Sequence, residues 1–349
     1  MSRFRKGLIT SVVLAVSTLA CSQSSSASSS WTFTDESSNL GLTGVSPHVE
    51  KIGAVDRVYY SGGPGGTAVA DCNSSGSCTA VAANWGSPIN DVTFATFGGV
   101  KRAYFKKLDP MSGTQAVYSA PCLTADCVSI GAATLTSEQM KVSTQERAWG
   151  VPDAVELPGG AGVRIYIVES PTKSSSCPEK VASYTAADGV NFVKDAGYRF
   201  SKDGYVDTEI LRATTGSWLM IMSDGPGCGN TQELYMSDSA DGLTWSNPVA
   251  ITGSDKSRLD PTGYETSPGS NVFKVYFATS AGRQDMNFTI GSGTLKVAAA
   301  SSSATTTTTA TAKVGAACTK AGAKQTVTIA KKNVKLTCKT VKKKLVWSK

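Results

Sequence analysis

The sequence contains almost no histidine and few charged residues, and both shortages restrict its chemistry. Its 349 residues include one histidine, His48, and Asp, Glu, Lys and Arg together make up 17%. A histidine-ligated metal site needs several imidazoles, and a Ser-His-Asp triad would depend on this single residue. The composition therefore argues against both kinds of site, and we expect no metal-ligating residues.

The chain also lacks long helical patterns. Beyond residue 20, apolar residues rarely recur at helical spacing, whereas Val, Thr, Ser and Tyr dominate short runs and 34 glycines punctuate them. Many short strands separated by turn residues are typical of an all-β protein. We therefore predict an all-β fold for the body of the chain.

The apolar run near the N-terminus is too short to cross a membrane comfortably. Residues 8–20 follow three basic residues and have the length of a signal-peptide core. The run ends in Thr18-Leu19-Ala20-Cys21, which is similar to a bacterial lipobox, although leucine usually stands one position earlier. We expect residues 1–21 to be a lipoprotein signal peptide with Cys21 lipidated, and 22–30 to be a serine-rich tether. The alternative is ordinary cleavage near the serine run.

A unit of two short strands recurs five times. In its clearest copy, Asp153 leads the first strand, and a glycine turn connects it to a second strand carrying Arg164 and Tyr166. The leads stand 45, 62, 54 and 53 residues apart, and in four copies the residue 11 positions further on is Arg or Trp. The leads are Ser46, Asp91, Asp153, Asp207 and Asp260. A repeat of this period is typical of a propeller.

The repeat predicts a five-bladed β-propeller over residues 31–297. We expect residues 31–41 to close the ring by adding a strand to the last blade; the alternative is that they pack beneath blade one. The Asp-Gly turns at Asp188 and Asp241 are hairpin signals in the outer parts of blades three and four. Because these turns lie far from the axis, we interpret both aspartates as structural.

The nine cysteines indicate an oxidising compartment. Eight of them can be paired by closeness in sequence or by equivalent positions in the repeats, which leaves Cys21 for the lipid. The expected disulfides are Cys72–Cys78, Cys122–Cys127, Cys177–Cys228 and Cys318–Cys338. Metal ligation by these cysteines is less consistent with the compartment and the scarcity of histidine. We therefore expect an extracellular protein anchored to the bacterial cell membrane.

The C-terminal part differs sharply in composition. Residues 298–312 contain only Ala, Ser and Thr and predict a linker, whereas 313–349 contain eleven lysines and no Asp, Glu or Arg, within an overall net charge of +7. Alternating apolar residues in 327–347 predict a small three-stranded β module that the Cys318–Cys338 disulfide staples. A tail that contains lysine but no arginine favours general electrostatic attraction to an anionic partner over the bidentate hydrogen bonds by which arginine recognises a specific group. We expect this tail to meet an anionic cell-wall polymer or a membrane surface, and nucleic acid is the less favoured partner.

The Asp-led strands and the turn Ser239-Ala240-Asp241-Gly242-Leu243-Thr244-Trp245 carry a family resemblance. They resemble the five-bladed propeller glycosidases, which include glycoside hydrolase family 43 (arabinanases and β-xylosidases) and invertase-like enzymes. The turn is also similar to the Asp-box of sialidases, although a sialidase normally has six blades. The resemblance covers residues 31–297 and is more specific for architecture than for chemistry.

The resemblance implies three carboxyl groups on the inner strands of different blades. In this family one aspartate is the base, a second modulates the pKa of the acid, and a glutamate is the acid. We assign these roles to Asp91, Asp153 and Glu209, respectively. Ser46 stands in blade one where an aspartate base is expected. The remaining candidates for substrate contact are His48, Asp207, Asp260 and Glu265.

Less specific interpretations accompany this assignment. The repeated aspartates could serve only to accept backbone N–H groups at the start of each strand, because a fold does not imply a function. Arg57, Arg102 and Arg164 could form a cluster for a carboxylated sugar, but we favour local pairing within each blade. The leading hypothesis is a monomeric glycosidase that needs no cofactor, with a structural Ca²⁺ near the axis as an option. The alternatives are a non-catalytic glycan- or ligand-binding surface propeller and an interaction scaffold.

Overall fold

The computed structural model describes most of the folded chain. The described residues are 30–62, 66–108, 114–143, 150–170, 177–212, 216–229, 231–282, 285–298, 324–329, 332–341 and 344–348. The predicted signal peptide with Cys21, the predicted tether before Ser30, Cys318 and all of the predicted linker except Ala298 lie outside them. The only helical turns in these ranges are the short 3₁₀ segments Glu138–Met140 and Pro158–Gly160. Within the same ranges, no helix is long and apolar enough to cross a membrane.

The predicted all-β, five-bladed propeller is confirmed. Each blade is an antiparallel sheet whose strands run outward in chain order, except that the N-terminal strand is the outermost strand of blade five. Blade one contains Val45–Ile52, Val55–Ser61, Thr67–Cys72 and Cys78–Val81. Blade two contains Asn90–Phe97, Val100–Leu108, Thr114–Pro121, Thr134–Leu135 and Lys141–Ser143. Blade three contains Asp153–Glu156, Val163–Glu169, Lys180–Ala186 and Val193–Lys194. Blade four contains Tyr205–Arg212, Trp218–Asp224, Leu234–Ser239 and Val249–Ala250. Blade five contains Ser257–Glu265, Val272–Ser280, Thr289–Ala298 and the N-terminal strand Ser30–Ser37.

The N-terminal strand closes the ring as the sequence predicts. Ser30–Ser37 pairs antiparallel with Thr289–Ala298 and becomes the outermost strand of blade five. Its aromatic residues anchor it, because the ring of Phe33 packs edge-on against Phe277 with centroids 5.8 Å apart. The two ends of the propeller are therefore held together by a complete strand pairing and by apolar burial.

The hydrophobic core is divided among the five contacts between neighbouring blades. Each of the five buried clusters draws its residues from two adjacent sheets. In the cluster between blades three and four, for example, Val155 and Tyr166 face Ile210 and Met220. No blade encloses a core of its own, so the stability of each sheet depends on its two neighbours.

A tyrosine on the second strand links four of the five blades to the next one. Tyr104 donates a hydrogen bond to the carbonyl of Gly189, at 2.8 Å, and Tyr166 donates to the carbonyl of Gly242, at 2.6 Å. Tyr59 of blade one donates to the carbonyl of Asp126 in blade two, and Tyr276 of blade five donates to the side-chain carboxylate of Asp56 in blade one, at 2.5 Å. The Asp-Gly turns therefore hold neighbouring sheets together.

The aspartates of these turns act locally, as predicted. Asp241 accepts hydrogen bonds from the backbone N–H groups of Leu243 and Thr244, each at 2.7 Å. Asp188 accepts the corresponding bonds from Val190 and Asn191, at 2.9 and 2.8 Å. These bonds shape the outer hairpins, which confirms the structural interpretation of both residues.

Three of the expected disulfides are present. Cys72–Cys78 and Cys122–Cys127 clip outer loops of blades one and two, whereas Cys177–Cys228 joins blades three and four. Cys338 is also disulfide-bonded, and its expected partner Cys318 lies outside the described residues.

The C-terminal strands form the predicted small sheet. The strands Lys324–Ile329, Lys332–Val341 and Lys344–Ser348 pair antiparallel in that order. They belong to a compact unit separate from Ser29–Ala299, which contains the propeller.

Candidate active site

The lead residues of four blades share an unusual backbone conformation. Ser46, Asp91, Asp207 and Asp260 have positive φ values of 50, 52, 54 and 48°. Each lies where the pairing of the first and second strands shifts register, which is the mark of a β-bulge. This conformation is uncommon outside glycine, and aspartate tolerates it better than most residues. The four leads therefore occupy equivalent positions on their first strands and form one layer.

Asp153 does not belong to this layer, which corrects the sequence-based alignment of the repeat. Asp153 pairs with Tyr166, just as His48 pairs with Tyr59 in blade one. It is therefore equivalent to the residue two positions after a lead, and Val151 takes the lead position of blade three.

The spacing of 11 residues between Asp153 and Arg164 gave the wrong alignment because the turn in blade three is longer than that in blade one. Thirteen positions separate Asp153 from Tyr166, whereas eleven separate His48 from Tyr59. The proline that follows the lead residue gives the correct alignment, since Val151-Pro152-Asp153 matches Ser46-Pro47-His48 and Asp260-Pro261-Thr262.

A second layer follows the leads, two residues further along each first strand. In four blades the side chain of the second-layer residue accepts a hydrogen bond from a backbone N–H of the next blade. Asp153 accepts from Ile210 at 2.8 Å, and Thr262 accepts from Val49 at 3.2 Å. The layer consists of His48, Thr93, Asp153, Glu209 and Thr262. Asp153 therefore does accept a backbone N–H group, which is the structural role considered from the sequence for the repeated aspartates. It also contacts Glu209.

Asp153 and Glu209 form a buried, hydrogen-bonded pair in this layer. Thr262 donates a further hydrogen bond to Oε1 of Glu209, at 2.9 Å. Burial raises the pKa of Glu209 well above its usual value, and the neighbouring Asp153 charge raises it further. Burial also raises the pKa of Asp153, to about 6. Both effects favour the protonated form of Glu209, and Asp153 is the member of the pair that ionises more readily.

His48 lies against this pair and stays neutral. Its Nδ1 is 3.8 Å from Oε1 of Glu209, and its ring packs edge-on against Phe94 at 5.2 Å. Burial lowers the pKa of His48 to about 3, with a smaller contribution from the positive charge of Lys101. The sole histidine therefore presents an uncharged imidazole at physiological pH.

A pocket of about 560 Å³ opens next to the pair. His48, Asp153 and Glu209 line it together with residues that follow them on the same strands, so it faces the C-terminal ends of those strands. Glu50 and Glu156 add two carboxyl groups, and Lys101 lies 2.6 Å from Glu50. The described lining residues include no lysine or arginine.

The lead carboxyl groups line a smaller chamber on the other side of the second layer. Its volume is about 10 Å³, close to that of a single water molecule. Asp91 is held there by an ion pair with Lys106 and by the hydroxyl of Ser61, at 3.0 Å. These contacts place Asp91 in the chamber rather than among the lining residues of the pocket.

Asp207 and Asp260 share a hydrogen bond in the same chamber. Asp207 also accepts from Ser223, at 2.9 Å, and Asp260 accepts from the backbone N–H of Ser46, at 2.8 Å. Burial, followed by the Asp260 charge, raises the pKa of Asp207 well above its usual value, and burial raises that of Asp260 to about 6. The pair ties blades four, five and one together.

The chamber does not fit a calcium ion in this arrangement. Calcium takes six to eight oxygen ligands at about 2.3–2.6 Å. Here Asp207 and Asp260 are bonded to one another, and Asp91 is bound to an ammonium group. Among the described residues, no group of three or more His, Cys, Asp or Glu side chains is placed to hold a metal ion.

The structure separates the sequence-predicted site residues into three places. His48, Asp153 and Glu209 meet in the pocket, and Asp91, Asp207 and Asp260 meet in the chamber, which His48 and Glu209 also line. Glu265 lines neither, and it accepts the backbone N–H of Asn271 in a hairpin turn, at 2.9 Å.

The three repeated arginines pair locally, as favoured from the sequence. Arg57 binds Asp71 at 2.7 Å, Arg102 binds Ser119 at 3.0 Å, and Arg164 binds Asp195 at 3.2 Å. Each of these partners lies in the same blade as its arginine, while Arg57 also pairs with Asp126 of blade two and Arg164 donates to the carbonyl of Asp241 in blade four, at 3.4 Å. These contacts do not assemble an arginine cluster for a carboxylated ligand.

Sequence reasoning missed Glu50, Thr262 and Lys101. Glu50 could have been found, because it lies two residues after His48 on one strand and shares its face. Thr262 carries no charge that would single it out, and Lys101 approaches from a different blade. The roles of Thr262 and Lys101 therefore become visible only when the blades are packed together.

Comparison with known proteins supports the fold. No protein-family model matches the sequence, and no curated protein matches it either. A solved thermostable family-43 glycoside hydrolase aligns with 74% of this chain and 94% of its own, at 13% identity and a TM-score of 0.53. An α-L-arabinofuranosidase from Podospora anserina, solved with cellotriose, aligns with 76% of this chain and 96% of its own, at 10% identity and a TM-score of 0.53. An endo-arabinase from Bacteroides thetaiotaomicron aligns with 76% and 98%, at 11% identity and a TM-score of 0.50. The chain therefore has the same five-bladed propeller fold as these glycoside hydrolases.

Proposed function

We propose that this protein hydrolyses glycosidic bonds in the pocket, with Glu209 as the general acid and Asp153 as the residue that modulates its pKa. The observation that carries the proposal is the buried carboxyl pair on the pocket lining, in which burial and the Asp153 charge raise the pKa of Glu209 and favour its protonated form. Glycoside hydrolysis needs such a proton donor for the leaving oxygen. The shared fold with known glycoside hydrolases adds support, although fold alone does not decide function.

The catalytic base must lie across the scissile bond from the acid. Acid and base carboxyl groups stand about 5–10 Å apart in glycosidases, so Asp153, hydrogen-bonded to Glu209, is too close for that role. Glu50 lines the pocket, and we assign it the activation of water. Asp91, the base proposed from sequence, lines the chamber instead and remains the competing candidate.

The charge of the pocket favours neutral sugars over uronic acids. Asp153, Glu209, Glu50 and Glu156 contribute four carboxyl groups, of which only Glu50 is paired with a lysine, Lys101 at 2.6 Å, and the described lining residues themselves include neither lysine nor arginine. A carboxylated sugar would meet repulsion there, and like charges at close range cost binding energy. We therefore expect turnover of neutral pentose or hexose polymers.

The decisive experiment is a hydrolysis screen of the purified chain against aryl-glycosides and plant and algal polysaccharides. Replacing a general acid costs about 10²–10⁴-fold in rate, so Glu209→Gln is expected to lower kcat at least 100-fold. Glu233→Gln, which makes the same change just before the third strand of the same blade, serves as the matched control and should retain activity. Parallel assays of Glu50→Gln and Asp91→Asn assign the base to whichever loses turnover.

A second function, glycan binding without turnover, is favoured by one observation. Asp153, Thr93 and Thr262 all accept backbone N–H groups from a neighbouring blade, which is a structural task. If the wild-type chain retains polysaccharides but hydrolyses none of them, this function replaces the hydrolase.

A further inference from the structure

Lys101 approaches Glu50 from outside the pocket. Its ammonium group lies 2.6 Å from Oε2 of Glu50 and 5.1 Å from the centroid of the Phe94 ring. Glu50 and Phe94 line the pocket, whereas Lys101 is not among the described lining residues. The lysine therefore contacts the pocket only through residues that line it.

A loop of blade two, closed by the Cys122–Cys127 disulfide, holds this lysine. The ammonium group of Lys101 donates a hydrogen bond to the carbonyl of Ala125 in the loop, at 3.0 Å. The backbone carbonyl of Lys101 accepts the N–H of Cys122, at 2.9 Å. A free lysine side chain samples many rotamers, and these bonds favour the one that reaches Glu50.

The same loop is fixed to blade one. The carboxylate of Asp126 pairs with Arg57, and the carbonyl of Asp126 accepts the hydroxyl of Tyr59. That hydroxyl also lies 3.5 Å from Oε2 of Glu50, and the ring of Tyr59 is buried. The loop therefore joins the lysine of blade two to the two strands of blade one that carry Glu50 and Tyr59.

We propose that Lys101 is a positioning residue that fixes the carboxylate of Glu50 for its role as the base, an inference that rests on the proposed function. A base must be placed accurately, since a misplacement of about 1 Å can lower the rate by about 10²-fold. Both described partners of the carboxylate contact Oε2, and among the described residues none binds Oε1. Oε1 can then take the proton of the attacking water as the water oxygen bonds to the sugar carbon, while Glu209 gives its proton to the leaving oxygen.

The proposal is tested by the kinetics of the purified chain on the best substrate of the hydrolysis screen. Lys101→Met keeps an unbranched apolar stem but removes the ammonium group, and it should lower kcat about tenfold or more while KM changes less than about twofold. Lys101→Arg retains the charge and should recover part of the loss. The matched control is Lys107→Met on the same strand, whose ammonium group lies over Tyr118 instead and whose loss should leave the kinetics unchanged.

Coupling between the two residues is tested by the double variant Lys101→Met/Glu50→Gln. If the lysine acts through the glutamate, the double variant is no slower than Glu50→Gln alone, because residues that act as a unit are not additive. Two results overturn the proposal: an unchanged kcat in Lys101→Met, or a loss in the double variant equal to the product of the two single losses. All variants are compared by thermal unfolding, and Lys101→Gln replaces Lys101→Met if the latter does not fold.

Failure of this inference is distinguishable from failure of the proposed function. A wild-type chain that hydrolyses no substrate has no base to position, and that result overturns both. Turnover that survives Glu50→Gln but is lost in Asp91→Asn leaves the hydrolase in place and overturns the role of Lys101 alone.

Discussion

The proton on Glu209 is held by its surroundings rather than by its residue type. A free glutamate would be ionised at neutral pH, but this side chain is buried beside a second carboxyl group. Ionising both groups would place two negative charges at hydrogen-bond distance in a poorly solvated site, which is strongly unfavourable. One member of the pair therefore stays protonated, as a general acid requires.

We expect Asp153→Asn to move the alkaline limb of the pH–rate profile to lower pH. The substitution removes the charge that raises the pKa of Glu209, so Glu209 loses its proton earlier. The asparagine amide can also donate a hydrogen bond to the ionised form, which acts in the same direction. A pH–kcat profile measures the shift, expected to be about one unit, and Asp203→Asn near the surface is the control. A limb that stays in place or moves upward contradicts the role of Asp153.

At the scale of the strand, the inner layers show why the two kinds of aspartate differ. The leads Asp207 and Asp260 occupy bulges with positive φ and bond to each other and to neighbouring groups in the chamber. Asp153 lies in regular pairing with Tyr166, two positions further along, and contacts the pocket. A shift of two residues along one strand thus moves a carboxyl group from the chamber to the pocket.

The hydrogen bond from Tyr166 to Gly242 should contribute measurably to stability. Its hydroxyl is buried and donates to the turn of the next blade, so Tyr166→Phe leaves that carbonyl without its partner. Such a change costs about 1–2 kcal/mol in the free energy of unfolding, measured by urea denaturation. Tyr198→Phe, at a side chain that is 37% exposed, should change it by less than about 0.5 kcal/mol. Equal effects at the two positions would contradict the linking role.

At the scale of the whole molecule, four buried carboxyl groups make the ring sensitive to pH. The pKa values of Asp153, Glu209, Asp207 and Asp260 are all raised in the folded chain, chiefly by burial. A raised carboxyl pKa contributes stability that is fully present below the unfolded value, near 4, and is lost as pH rises through the folded value. His48 has the opposite pH dependence, because its pKa is lower in the folded chain than in the unfolded chain. Its contribution to stability is lost as pH falls below about 6.5, whereas that of the carboxyl groups is lost as pH rises.

The free energy of unfolding should therefore fall between pH 6.5 and pH 8, where His48 adds an opposing change of less than about 0.5 kcal/mol. One unit of pKa shift corresponds to about 1.4 kcal/mol, so we expect a decrease of a few kcal/mol at most. Urea denaturation at the two pH values measures it. In Asp207→Asn the amide replaces one titrating partner in the chamber, and the decrease should be smaller. If the variant and the wild type lose equal stability, the Asp207–Asp260 pair is not the source.

The sequence alone determined the repeating and the local features. The five units, three disulfides and the three-stranded tail all depend on patterns within a few tens of residues, whereas the closing strand at residues 31–41 was predicted from the ring that the repeat implies. Alternation, turn residues and cysteine spacing are encoded at that range, because each strand pairs with the strand that follows it.

The tertiary structure alone decided which carboxyl groups meet. The bulges at the leads and the longer turn in blade three set the register. They separated Asp91 from Asp153, although the sequence grouped both with Glu209, which lines the pocket and the chamber. The contacts of Glu209 with Asp153 and Thr262 join residues that lie 56 and 53 positions apart. Such contacts form only when separate blades pack around the axis, and the burial that raises these pKa values arises in the same step.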